Sequence, residues 1–210
     1  NQLVVPKQGF DNFIIHDELN DDLTKKHREL LNKMSLLVQE NKNFFLYLHY
    51  SKIHTGIMNE VLKVYNNNSK EFFDNRVKNE QRYDTLFENA ELYLQSILDE
   101  INNLGLEKNS LILVMSDHGI SVGEKFGERA YGAFCYDYTL RTFAYLLSDE
   151  FASKEITQQV RTVDFMPSIL DYLKITLDDT YEKPDGVSLL PLIHGTSMPE
   201  QIAYSETGNP

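Results

Sequence analysis

Asp117 and His118 stand side by side at the end of an apolar run, Leu111-Ile112-Leu113-Val114-Met115. A carboxylate offers a hard oxygen and an imidazole offers nitrogen, a mixture suited to Mn²⁺, Zn²⁺ or Ca²⁺. A second run, Phe44-Phe45-Leu46-Tyr47-Leu48-His49-Tyr50, carries His49 near its end and His54 shortly after it. Glu124 follows the Asp–His pair across a glycine-bearing loop. If both runs are strands of an open α/β sheet, ligands bind beyond their carboxyl ends, and these residues converge on one rim. Each also has a plain structural reading. Asp117 can cap the loop that follows it, His49 can be a hydrogen-bonded core histidine, and Glu124 can brace its own loop. Cys135 reads as a small buried hydrophobe. Thr55 and Ser121 are the hydroxyls of the two rim loops. Spacing alone makes this a candidate metal site and nothing narrower.

The elements that must position these groups alternate. Leu23, His27, Leu30, Leu31, Met34, Leu37 and Val38 recur at helical spacing, with Asp21 or Asp22 as N-cap. The aromatic run at 44–50 is of strand length and apolar throughout, which predicts a strand buried on both faces. Asn66-Asn67-Asn68-Ser69 reads as a loop. Tyr83, Leu86, Phe87, Ala90, Leu94, Ile97, Leu98 and Ile101 predict a long helix, stopped by Gly105. Residues 111–115 and 142–147 are the second and third strands. Asp164 is placed to cap a helix that turns Phe165, Ile169, Leu170 and Leu173 inward and tolerates Pro167 in its first turn. The turn-rich tail from Pro184 onward has one apolar anchor in Leu189, Leu190, Leu192 and Ile193. The expected class is α/β, with a mostly parallel sheet flanked by helices on both faces. Three strands are few for such a sheet, so either edge strands escape this reading or part of the sheet lies outside the chain.

Composition narrows the function. With 210 residues and a 41% hydrophobic content the chain can bury a core. Its net charge of −12 and the lack of any basic cluster argue against a nucleic-acid surface. No apolar stretch approaches the roughly 20 residues of a membrane span. The single cysteine excludes an internal disulfide and a cysteine-based zinc cluster. The chain opens at Asn1 without Met or a signal-like segment, which suggests a piece cut from a longer protein and leaves the compartment unknown.

The order of short motifs resembles the sulfatase family of the alkaline-phosphatase superfamily. The resemblance is centred on Ser116-Asp117-His118-Gly119, followed by Gly123-Glu124, Tyr136-Asp137 and Leu140-Arg141. On either side stand Gly9-Phe10-Asp11-Asn12-Phe13, the 44–50 run with His54, Val163-Asp164-Phe165-Met166-Pro167-Ser168, Asp185-Gly186-Val187-Ser188-Leu189 and Tyr204-Ser205-Glu206-Thr207. The resemblance implies a sulfate-ester hydrolase. A phosphoryl-transfer relative (phosphodiesterase, phosphonate-ester hydrolase or phosphoethanolamine transferase) and a catalytically silent binding homologue are the alternatives. It further implies a divalent metal, Ca²⁺ first with Mn²⁺ or Zn²⁺ as alternatives, held in part by Asp117 and His118. His54 corresponds to the histidine that contacts the transferred group, and Arg129 stands near the place of an anion-binding Lys or His. The implied substrate is a small-molecule or glycan sulfate or phosphate ester; the oligomeric state is not implied.

The chain also departs from the family. No Cys or Ser stands in a C/S-x-P-x-R context, and the Asp-Asp ligands of the family's first strand have no counterpart. His54 is followed by Thr55-Gly56 where Pro or Tyr is common. Residues 1–210 are therefore expected to be one partial catalytic domain, inactive alone, with the nucleophile segment before it and a smaller subdomain after it.

Overall fold

The computed structural model describes residues 9–17, 19–65, 70–131 and 134–207. Residues 66–69, expected to be a loop, lie outside them. The elements are α1 (Leu23–Gln39), α2 (Lys52–Gly56) continued by a π-helical turn (Ile57–Leu62), α3 (Glu71–Asp74), α4 (Arg76–Asn103), β1 (Ile112–Met115), α5 (Asp137–Leu140), β2 (Ala144–Leu147), α6 (Phe165–Tyr172) and α7 (Leu190–Ile193). The chain forms two compact units. One is Asn1–Asn68 with Val77–Leu104, the other Ser69–Arg76 with Gly105–Pro210.

In the first unit α1 starts where expected. Asp22 accepts a hydrogen bond from the Lys25 amide at 3.0 Å, satisfying one of the free donors of the first turn. Leu23, His27 and Leu31 form its buried face at a spacing of one turn. Burying each leucine contributes about 1.5–3 kcal/mol, before the entropy of ordering the chain. Asn41, with φ of 55°, takes the left-handed position that ends the helix. α4 starts earlier than its apolar pattern predicts, at Arg76, and ends before Gly105. Polar clamps join the two helices. The Arg28 guanidinium donates to Glu100 at 2.6 and 2.9 Å, Asn32 donates to the same carboxylate at 2.9 Å, and His27 Nδ1 lies 2.7 Å from the Tyr93 hydroxyl.

Residues 44–50 do not form the expected strand buried on both faces. They alternate, with Phe44, Leu46, Leu48 and Tyr50 half-buried and Phe45, Tyr47 and His49 exposed, and no ladder bonds them to a neighbour among the described residues. A run that is apolar throughout hides this two-residue period, because both of its faces carry aromatics. His49 is thus no core histidine: its exposed ring lies 3.4 Å from the Tyr47 hydroxyl.

In the second unit β1 and β2 pair antiparallel, Ile112 opposite Leu147 and Met115 opposite Ala144. The mostly parallel sheet expected from the alternation of elements is not met among the described residues: their one sheet is this two-stranded ladder. Antiparallel pairing has a consequence for the site, since it returns the whole 116–143 connection to one end of the ladder, the carboxyl end of β1. Below the ladder, Phe165, Leu189 and Leu192 form a core, with Leu113, Ile156, Val160, Ile193 and Met198 packed against it.

Asp164 precedes α6, but its side chain does not cap the helix. The fully buried carboxylate is clasped by the Arg161 guanidinium at 2.7 and 3.2 Å, and by the amides of Arg161 and Val187, both at 2.9 Å. Burial alone would push this carboxyl up; the arginine and the two amides outweigh it and hold it below the usual carboxylate range. Ser168 extends the clasp, donating to the Asp164 carbonyl at 2.6 Å and accepting from the Leu189 amide at 2.8 Å. Gly186 is required here because a Cβ would fall 2.0 Å from the Val163 carbonyl oxygen. The two motifs around Asp164 and Gly186 are thus one structural fastening.

Candidate metal and substrate site

The ladder extends one residue beyond β1. The Ser116 amide donates to the Phe143 carbonyl at 3.2 Å, and the Phe143 amide donates to Ser116 Oγ at 3.2 Å. The chain then turns outward, leaving 80% of the Asp117 side chain and 49% of the His118 side chain exposed. Two local bonds orient the pair. Asp117 Oδ1 accepts from the His118 amide at 2.9 Å. His118 Nδ1 lies 2.7 Å from the Gly119 carbonyl oxygen, which accepts and cannot donate, so Nδ1 is the donor of this bond. That bond engages Nδ1 and turns Nε2 away from the backbone, the orientation metal-binding histidines use. Nε2 and Asp117 Oδ2 are 3.6 Å apart, near enough to share one cation.

The backbone that carries this pair is held from the side of α5. The Gly119 amide donates to the Thr139 carbonyl at 2.9 Å. A Cβ at Gly119 would lie 2.3 Å from the Tyr138 carbonyl oxygen, so only glycine permits this approach. The His118 ring also meets Tyr131 edge-on, with centroids 5.5 Å apart.

Glu124 stands in the next loop but turns inward. Its Oε2 accepts from Ser121 Oγ at 3.0 Å and from the Val122 and Gly123 amides at 2.9 and 3.1 Å, which makes it the brace of its own loop. Ser121 is fully buried with its hydroxyl committed to that carboxylate, so it is no candidate nucleophile. Arg129 is half-buried, its guanidinium carbon 4.9 Å over the Phe72 ring. Cys135, expected to be buried, is exposed. It sits beside Phe134, itself 46% exposed, outside the apolar core.

His54 belongs to the first unit. It lies exposed on α2, a helix that packs Gly56 against Leu86 of α4. An open cleft of about 350 Å³ beside it is lined by Tyr50, Lys52, Thr55, Asn59, Glu60 and Asn89. The Thr55 hydroxyl donates to the Lys52 carbonyl at 3.2 Å.

Sequence reading missed the buried acid of this region. Glu128 is 2% exposed and receives the Tyr138 hydroxyl. It lies in Gly127-Glu128-Arg129, where no apolar period marks a buried position. Among the described residues no three His, Cys, Asp or Glu side chains are grouped to enclose a metal, so Asp117 and His118 stand as a pair. No helix among them is long and apolar enough to cross a membrane.

No curated protein matches the chain. Among solved structures it is similar to the one described as "Crystal structure of Ps i-CgsB", with a TM-score of 0.59 at 18% identity, over 82% of this chain and 37% of that one. The likeness is one of fold, and the chain spans well under half the length of that neighbour. The family model of the sulfatases matches residues 1–175, a span that holds His54, Asp117, His118, Arg129, Arg161 and Asp164. That family implies the α/β alkaline-phosphatase-like fold, and with most of its length matched the chain belongs to the sulfatase family.

Proposed function

We propose that this chain is part of a metal-dependent sulfate-ester hydrolase in which Asp117 and His118 supply two ligands to a divalent cation. The observation that carries this reading is the His118 geometry: Nδ1 lies 2.7 Å from the Gly119 carbonyl oxygen, and Nε2 lies 3.6 Å from a carboxylate oxygen of Asp117. An oxygen and a nitrogen donor, both exposed, fit Ca²⁺, Mn²⁺ or Zn²⁺, with Ca²⁺ the first choice on family grounds. When bound, such a cation polarises the oxygens of a sulfate ester and lowers the pKa of a nearby nucleophile.

The chain's own residues have distinct roles. Asp117 and His118 would hold the cation, and the Gly119 carbonyl orients the His118 ring through Nδ1. His54, which by family resemblance corresponds to the histidine that meets the transferred group, would support the charge that develops on the leaving oxygen. Arg129 adds a fixed positive charge for the anion. No side chain here takes the part of the covalent nucleophile, since no Cys or Ser has the x-P-x-R context and Ser121 is sealed. The substrate is a small-molecule or glycan ester carrying sulfate. Assay of a longer protein that includes a C/S-x-P-x-R segment tests this reading. Turnover of an aryl sulfate that is lost on chelation and on Asp117→Ala supports it; turnover insensitive to both sinks it.

A further inference from the structure

Glu128 is the least explained group in the second unit: a carboxylate 2% exposed, on a loop, with no cation bonded to it among its described hydrogen bonds. Burying a carboxylate is costly unless donors replace water. Its donors are the Tyr138 hydroxyl on Oε2 and the Phe134 amide on Oε1 at 3.4 Å. Its backbone is tied as well. The Glu128 amide donates to Lys125 O at 3.3 Å, and its carbonyl oxygen lies 3.4 Å from Ser121 Oγ. Glu128 is therefore fixed to the loop that follows the Asp–His pair, while its side chain reaches across to α5.

α5 is the element against which the pair is set. The Tyr138 carbonyl is the atom that leaves no room for a Cβ at Gly119, and the next carbonyl, Thr139 O, accepts the Gly119 amide. The Gly119 carbonyl in turn receives His118 Nδ1. The contacts form an unbroken sequence: Glu128 carboxylate, Tyr138 hydroxyl, α5 backbone, Gly119 peptide, His118 ring.

We propose that Glu128 and Tyr138 are positioning residues for the Asp117–His118 pair: by anchoring α5 they hold the Gly119 backbone where its carbonyl bonds His118 Nδ1 and fixes the orientation of the ring. Neither residue touches the cation or the ester. The short helix α5 spans only Asp137–Leu140 and cannot hold itself in place, because an isolated turn of helix is unstable in water. The anchor is also durable. Burial, the Glu128 bond and the charges of Glu128 and Glu124 all push the Tyr138 phenol above its ordinary pKa, so it stays a donor. The inference rests on the proposed metal-holding role of the pair, but its test does not require metal.

The test is NMR of the metal-free chain, reading the His118 ring-nitrogen shifts and the hydrogen exchange of the Gly119 amide. The parent should show an Nδ1–H ring and a protected Gly119. Tyr138→Phe, which removes one oxygen and keeps the ring, should populate the Nε2–H form and speed Gly119 exchange roughly tenfold, the size of one lost hydrogen bond. Glu128→Ala should do the same. Glu128→Gln retains an acceptor for the phenol and should keep the parent values. Ser168→Ala, a destabilising change in the Asp164 clasp, should move neither signal. The proposal is overturned if Tyr138→Phe leaves both signals unchanged, if Glu128→Gln behaves as Glu128→Ala does, or if Ser168→Ala shifts His118 equally. Adding Mn²⁺ separates the two ideas. If Mn²⁺ fails to broaden His118 while Tyr138→Phe still moves its tautomer, the metal role fails and the positioning stands.

Discussion

Asp117 and His118 leave most or about half of their side chains in solvent, so they add little to the packing of the second unit. Exposed residues of this kind change stability by no more than about 0.5 kcal/mol when replaced. Ser168 is the opposite case. Its hydroxyl is 2% exposed and joins the Asp164 carbonyl to the Leu189 amide. Ser168→Ala strands a buried amide and should cost about 1–3 kcal/mol, measured by urea denaturation against the parent chain. Asp117→Ala should leave the same transition in place. If the two variants were equally destabilised, the division between an exposed ligand pair and a buried fastening would be wrong.

At the scale of elements, the fastening of the 116–119 turn to α5 predicts the result of Gly119→Ala. A methyl group aimed at the Tyr138 carbonyl has no flexible neighbour to displace, so the loop must move. The antiparallel bridge in which Ser121 and Ala130 exchange backbone hydrogen bonds at 2.8 and 3.0 Å should survive, as should the β1–β2 ladder, while the Gly119–Thr139 hydrogen bond is lost; amide exchange mapped along the chain would show whether the damage stays local. α1 predicts a pH effect. Burial, followed by the nearby His16 and His49, lowers the His27 pKa from 6.5 to about 4. The unfolded chain therefore binds the proton first, and stability present above pH 6.5 is lost as pH falls from 6.5 toward about 4. The loss has an upper value of about 3 kcal/mol. His27→Gln should flatten that pH dependence in thermal unfolding; an unchanged slope would mean that His27 is not its source.

α1 and the body of α4 were legible in the sequence because their buried residues repeat with the turn of the helix, and the Asp–His turn was legible because it ends an apolar run. Other features carried no such mark. Residues 44–50 are apolar on both faces, which concealed the exposure of Phe45 and Tyr47. The Asp164 side chain looked like a cap because Asp commonly caps, yet its partners are Arg161 and, far along the chain, Val187. Glu128 and Ser121 are buried on an irregular loop, where burial follows from tertiary contacts and leaves no period to read. The direction of β2 also leaves no mark in the sequence: the 116–143 connection is long enough for a parallel crossover, and only the bonds of β2 to β1 show that the pair is antiparallel.

At the scale of the whole molecule, the 210-residue chain should leave aryl sulfates and aryl phosphates unhydrolysed above background, with or without added metal. Positioning and charge stabilisation lower a barrier only when an attacking group is present, and the hydroxyls of Ser121 and Thr55 are bonded to Glu124 and to the Lys52 carbonyl. Sustained turnover of 4-nitrophenyl sulfate by this chain would mean that an unrecognised nucleophile is at work.

The central claim is that Asp117 and His118 are a ligand pair for a divalent cation, and a Mn²⁺ titration of the chain followed by electron paramagnetic resonance tests it most directly. Two donors leave an ion largely hydrated, so binding should be weak, with a Kd of about 10⁻⁴–10⁻³ M. It should be displaced by Ca²⁺ and abolished by Asp117→Ala and by His118→Ala, both of which stay folded. Mn²⁺ binding of equal strength in the parent and in both variants would contradict the account.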